Sequence, residues 1–365
     1  MSKKPVVFIS SALTSRSYDE SKFFEFFIII IGKLSVLLRS RQYELILRVP
    51  EYQEDAVEEQ KEFLDDLTKD DLSKYSALII SPFERQPLVD YIDQIIRRNK
   101  EFPILTIDKD FRKQDFIDKA HIINNNLVPK SVICDEEFGG ELAARSIIDC
   151  MYDLYGDWNP EKEPYIQIFK GLEGSELRVK GFRKGMEKLC EEKKFSVRIC
   201  CEEDEINAQF KRTTAKQKAK ILLTDLKCDV QAFFCCNDEM ALGVRDELER
   251  RFYDLRIERS SIDVLRMPPD SKKNKLKLLD KKINMINDIK IVGFDGIRET
   301  RILTHQKDNW LLNSVDVKIV EQANNLSKLL FYKIGEIKKP KDDEIKQKIP
   351  PKLIVPIGDQ KNIST

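Results

Sequence analysis

Three expected strands end on side chains suited to holding hydroxyl groups. Asp108 follows a strand at 103–107, Asp295 follows one at 289–294, and Asn237-Asp238 closes one at 231–236. In a parallel α/β sheet, ligands sit outside the carboxyl ends of the strands, so such residues face whatever binds. Each carboxylate can accept two hydroxyl protons, and Asn237 offers one acceptor and two donors. That chemistry suits a small, polar, hydroxyl-rich molecule. An aspartate after a strand is also the ordinary N-cap of the next helix, and residue chemistry alone leaves that alternative open for Asp108 and Asp295. For Asp238, which opens a helix, capping is the better account.

Other chemistry finds little machinery. The two histidines, His121 and His305, fall in no acid–base constellation, and no nucleophile motif is present, so the chain is expected not to be an enzyme. Gly171 and Gly174 flank a strand-to-helix loop without the lysine of a phosphate cradle, which points to a turn. The eight cysteines lack framework or Cys-x-x-Cys spacing and suggest free thiols in a reducing compartment. Neither a metal nor a cofactor is expected. Lys+Arg 63 balances Asp+Glu 63, which argues against nucleic acid or an anionic membrane surface as the main partner. The lysines at 272, 273, 275, 277, 281 and 282 read as a solvated face.

The elements that must position these residues alternate. Strands are expected at 6–10, 43–49, 77–81 and 103–107, with helices from about Lys22, at 55–67 and at 87–99. A second series places helices at 139–151, 175–190, 207–224 and 238–251 among strands at 165–169, 196–201, 231–236 and 289–294. A helix is expected at 315–332, a charged connector at 340–351 and a last strand at 352–355. The apolar run 23–38 is interrupted by Glu25, Gly32, Lys33 and Ser35 and reads as a helix buried on most faces rather than a membrane span. Residues 256–288, polar and lysine-rich around Pro268-Pro269, read as a surface insertion. Alternation of this kind means parallel strands with helical crossovers, and 365 residues suggest about two such domains.

Five segments, SALIISPFE with FPILTIDKDF, VICDEEFGGELAA, GLEGSELRVKGFRKGM, VQAFFCCNDEMALG and IVGFDG, resemble in order the type I periplasmic-binding-protein fold. Ribose-type sugar receptors and the effector domains of lactose-repressor-like regulators share that fold. The resemblance implies an α/β protein of two doubly wound parallel-sheet lobes joined by a three-strand hinge. It divides the chain into 1–133 plus 315–348 and 134–314 plus 349–365. A pentose, hexose or related polyol would lie in a cleft between the lobes and draw them closed. The ligand-binding residues it implies are Phe23 and Phe24 stacking on the sugar ring, Asp108, Lys109, Arg178, Asn237, Asp295 and Asn313. Lys109 stands where ribose-type receptors usually carry arginine, and Glu136 where they carry asparagine; both are departures inside the expected pocket.

The N-terminus MSKKPVVFIS runs straight into a strand without a signal-peptide core. A cytoplasmic sensor read by a protein partner is therefore expected. Two alternatives remain: the periplasmic receptor of a sugar ABC importer whose signal has been removed, and an interaction module that kept the fold and lost the ligand.

Overall fold

The structure is a computed structural model that describes residues 3–11, 25–51, 55–155, 163–171, 175–224, 230–264, 268–304, 312–338, 340 and 347–354. The chain divides into two compact units, Met1–Asp135 with Lys318–Pro350 and Glu136–Val317 with Pro351–Thr365.

In the first unit β1 (Val6–Ile9), α1 (Glu25–Arg39), β2 (Leu45–Arg48), α2 (Ala56–Lys69), β3 (Ala77–Ile80), α3 (Val89–Arg98), β4 (Ile104–Ile107), α4 (Ala120–Asn124) and β5 (Lys130–Cys134) follow one another. The second unit holds α5 (Glu136–Tyr155), β6 (Tyr165–Lys170), α6 (Glu176–Lys193), β7 (Arg198–Ile199), β8 (Ile206–Asn207), α7 (Arg212–Thr224), β9 (Val230–Cys235), α8 (Asp238–Val264), α9 (Pro269–Asn287), β10 (Lys290–Asp295), α10 (Arg298–Thr304) and β11 (Leu312–Asp316). The chain then supplies α11 (Ile319–Lys333) and β12 (Lys348–Ile349) to the first unit and β13 (Lys352–Ile354) to the second.

The first sheet runs β12-β5-β4-β3-β1-β2 with every pairing parallel. All four residues of β1, β3 and β4 are buried, as a sheet covered on both faces requires. Val7, Ile9, Leu78 and Ile80 pack on Leu64 of α2 and Ile92 and Ile95 of α3. α1 buries a single stripe, Phe27, Ile30, Leu34 and Leu38, while Ile28 and Val36 are exposed. The apolar run is thus amphipathic rather than buried on most faces, because one side packs inward against α11 and the other meets solvent. Among the described residues, no helix is long and apolar enough to cross a membrane.

The second sheet runs β13-β11-β10-β9-β6-β7, with β8 beside β6 and only β13 antiparallel. Helices cover both faces of β10. A Cβ on Gly293 would meet Asp238 and Ala241 of α8, and one on Gly139 of α5 would meet the ring of Phe294. Neighbouring strand residues point to opposite faces, so α5 and α8 lie on opposite sides of β10.

Several elements differ from expectation. β5 and β11 were absent from the expected strand series, and the helix expected from 315 starts at Ile319. All five β11 residues are buried, polar Asn313, Ser314 and Asp316 among them, which hides the strand pattern. Lys318, at φ +57, ends the extended run before α11. α8 continues thirteen residues past Arg251 to Val264, and α9 packs back on it, so most of the insertion is a helical extension. The helix expected from 207 begins only at Arg212, because Ile206–Asn207 forms β8.

Candidate functional site

The carboxyl ends of the two sheets carry the candidate residues. In the first unit, Asp108 directly follows β4 with φ +71. The Lys109 N–H donates to the Ile107 carbonyl at 2.9 Å, closing a tight γ-turn around Asp108. Such a conformation is strained for a non-glycine residue, and strain of this kind is concentrated at functional sites. The Lys109 ammonium donates to the Phe83 carbonyl at 2.5 Å and lies 5.7 Å from the Phe83 ring centre. It is thus engaged with the loop after β3.

That edge is tied together by a buried amide. The Gln60 side chain from α2 donates to the carbonyls of Ser10 (2.9 Å) and Ser81 (2.8 Å) and accepts from the Phe83 N–H (2.9 Å). The hydroxyls of Ser11 and Ser81 meet at 3.1 Å. Phe23 and Phe24 lie outside the described residues.

In the second unit, Asp295 ends β10 with φ +112 and is followed by Gly296 at φ +69. Arg178 of α6 joins it to the start of α5. Its Nε and Nη2 reach Glu136 Oε1 at 2.9 and 2.8 Å, and its Nη1 reaches the Cys236 carbonyl at 2.6 Å and Asp295 Oδ1 at 3.1 Å. The guanidinium also stacks 4.2 Å from the Phe294 ring centre. Burial pulls its pKa down, but Glu136 and Asp295 more than offset this, so the cation is held above the ordinary arginine range.

Two glycines make this network possible. A Cβ on Gly140 would lie 2.2 Å from the Arg178 carbonyl oxygen, and one on Gly181 would lie 1.9 Å from the Glu137 carbonyl oxygen. α5 and α6 therefore touch backbone to backbone, which brings Glu136 within reach of Arg178.

The cap expected of Asp238 falls to Asn237. Asn237 Oδ1 accepts from the Met240 N–H at 2.9 Å, the geometry of an N-cap, and its Nδ2 donates to the Phe210 carbonyl at 3.2 Å. Asp238 instead points into the protein, fully buried, accepting from the Ser314 hydroxyl at 2.6 Å and the Ile297 N–H at 2.9 Å. Burial and then the nearby Asp295 charge push its pKa well up, while its hydrogen bonds act in the opposite sense. Asn313 is the second residue of β11 rather than its end. It is 3% exposed and donates to Ser146 of α5 at 2.7 Å, while Asp316 holds the strand end.

Phe210 was hidden inside the helix expected from 207. Gln209 and Phe210 both have positive φ, +56 and +59, and the Phe210 ring covers Gly171, where a Cβ would lie 2.1 Å from it. The legible signal was Asn207, whose side chain accepts from the Gln209 N–H at 3.0 Å and makes a turn. Lys170 and Arg183 add a second ion network, meeting the nearly buried Glu205 side chain at 3.2 and 2.6 Å. Among the described residues no group of three or more His, Cys, Asp and Glu could hold a metal ion.

No protein-family model and no curated protein sequence matches the chain. Solved structures do. An ABC transporter periplasmic solute-binding protein from Actinobacillus succinogenes with bound D-allose superposes with a TM-score of 0.68 at 16% identity, covering 99% of this chain and 100% of that one. A Bacillus halodurans ABC transporter solute-binding protein with bound myo-inositol gives 0.64 at 16% identity, covering 99% and 98%. A LacI-family sugar-binding transcriptional regulator from Escherichia coli, complexed with phosphate, gives 0.58 at 16% identity over 97% of each chain. With its two parallel-dominated α/β sheets and three passages of the chain between units, the protein has the type I periplasmic-binding-protein fold.

Proposed function

We propose that the protein binds a small sugar or polyol reversibly, without transforming it, and acts as a sensor or solute receptor. The observation that carries this reading is an aspartate with positive φ at a parallel strand's carboxyl end in each unit, Asp108 and Asp295. Both stand where the fold presents side chains to ligands, and carboxylates are the acceptors that a neutral polyol requires. Solved proteins of this fold hold D-allose and myo-inositol, which supports the ligand class. Phe210, half-buried beside Asn237, adds an aromatic ring of the kind that packs on sugar C–H groups. Closing of the hinge around the ligand belongs to the same proposal.

A second reading has its own support. Arg178 spends its donors on Glu136, Asp295 and the Cys236 carbonyl, and Lys109 spends one on Phe83, so both cations expected to meet a sugar are engaged by the protein. A module that kept the fold and lost the ligand would show this pattern.

Isothermal titration against a panel of pentoses, hexoses and inositols separates the two. Saturable binding of one sugar is expected, weakened about 10-fold or more by Asp108→Ala or Asp295→Ala, the cost of a charge-assisted hydrogen bond. Small-angle scattering with that sugar should show compaction. Binding of no sugar, while another ligand class binds, would overturn the proposal.

A further inference from the structure

The opposite edge of the second sheet holds a cavity. It lies at the amino ends of the strands, where Val230 opens β9 and Ile289 precedes β10, about 17 Å along a six-residue strand from the candidate site. Its volume is about 240 Å³, a little below the range of pockets that hold drug-sized ligands, which suits a small one. Leu223 from the end of α7, Val230, Ile286 and Ile289 supply an apolar floor. α9, the helix of the extension, closes one side with Lys282 and Met285.

The charged groups that line the cavity are Arg250, Arg251, Lys282 and Asp254, three cations to one carboxylate. Arg250 is ion-paired with Glu247 and Asp254. Arg251 lies 3.9 Å from Glu247, which Arg250 already holds, feels Asp254 more weakly, and otherwise donates to the neutral Leu223 carbonyl and Thr224 hydroxyl. Burial pulls its pKa below the ordinary arginine range; Glu247 and Asp254 act against this, and neighbouring Arg250 acts with it. Lys282 has no ion-pair partner among the described residues. A largely apolar chamber lined by three cations and one carboxylate is complementary to one class of molecule.

We propose that this cavity binds a small amphipathic anion, a carboxylate or sulfonate on a short apolar body, with Arg251 and Lys282 taking the charge. The extension thereby acquires a role apart from the sugar site, since Lys282, Met285 and Ile286 belong to α9.

The test is calorimetric titration of the full chain with octanoate, octan-1-ol and octylamine, below any micellar concentration. Octanoate is expected to bind saturably at one site and at least 10-fold more tightly than octylamine. The ε-methyl NMR signal of Met285, assigned through Met285→Leu, should shift on titration. Lys282→Glu should weaken octanoate about fivefold, the scale of a partly exposed charge pair, while Lys282→Arg restores it. Thermal unfolding and sugar titration of Lys282→Glu should match the parent. Non-saturable binding, equal affinity for octylamine, or an unchanged affinity in Lys282→Glu would each overturn the proposal.

Discussion

The same device is built twice and supported in two ways. In each unit an aspartate at a strand's carboxyl end takes a positive φ, Asp108 after β4 and Asp295 at the end of β10. Around the first, the loops are held by a neutral amide: Gln60 satisfies two carbonyls and one N–H and so ties the ends of β1 and β3 to Phe83, which also receives Lys109. Around the second they are held by charge, with one guanidinium serving two carboxylates, a carbonyl and an aromatic face. A neutral network loses hydrogen bonds when one member is removed, whereas a charged one also leaves unpaired ions in a poorly solvated place. The second unit's edge should therefore be the more fragile of the two.

The largest effect should come from Arg178→Met. It takes the guanidinium away from Glu136 and Asp295, and is expected to cost about 3 kcal/mol in denaturant unfolding, with Glu136→Gln recovering part of that. A loss no greater than that of an ordinary surface substitution would break the comparison. Next comes Gly181→Ala, whose Cβ would lie 1.9 Å from the Glu137 carbonyl oxygen. Prising α5 from α6 should cost about 1–3 kcal/mol and should weaken sugar binding as Glu136 parts from Arg178. In the first unit, Gln60→Leu leaves the buried groups it served without a partner and should cost about 2 kcal/mol. Its cost should not change with salt, whereas high salt should reduce that of Arg178→Met.

What the sequence made legible follows the same division. A strand that stops on an aspartate is a local pattern, so Asp108 and Asp295 could be placed from β-branched runs and the polar residue after them. Phe210 is hidden because the helix pattern read from 207 runs five residues ahead of α7, across β8 and its turn. β11 was lost because its buried polar residues answer to partners distant in the chain, Asn313 to Ser146 and Ser314 to Asp238. The Arg178–Glu136 link depends on two helices meeting at Gly140 and Gly181, and no spacing within either helix announces that contact. That Asn237 rather than Asp238 caps α8 is hidden for a related reason. Either can cap a helix, and what decides is Gly293, which leaves room on β10 for the Asp238 carboxyl.

That buried carboxyl gives the smallest and most discriminating prediction. Among the described residues Asp238 has no ion-pair partner; it has hydrogen bonds and the like charge of Asp295, and its folded pKa is raised well above that of an unfolded aspartate. The folded state therefore holds a proton that the unfolded chain releases above about pH 4. Stability from this group is complete below that pH and is lost as pH rises toward the folded value. Asp238→Asn keeps the shape but cannot titrate, so the stability of the parent minus that of the variant should fall as pH rises, measured as urea midpoints across the pH range. A difference that grows with pH would mean that the carboxyl is ionised and stabilised in the fold. Asp295→Asn removes the neighbouring charge and should make the fall shallower, whereas Gln60→Leu, on an edge held by an amide, should cost the same at every pH.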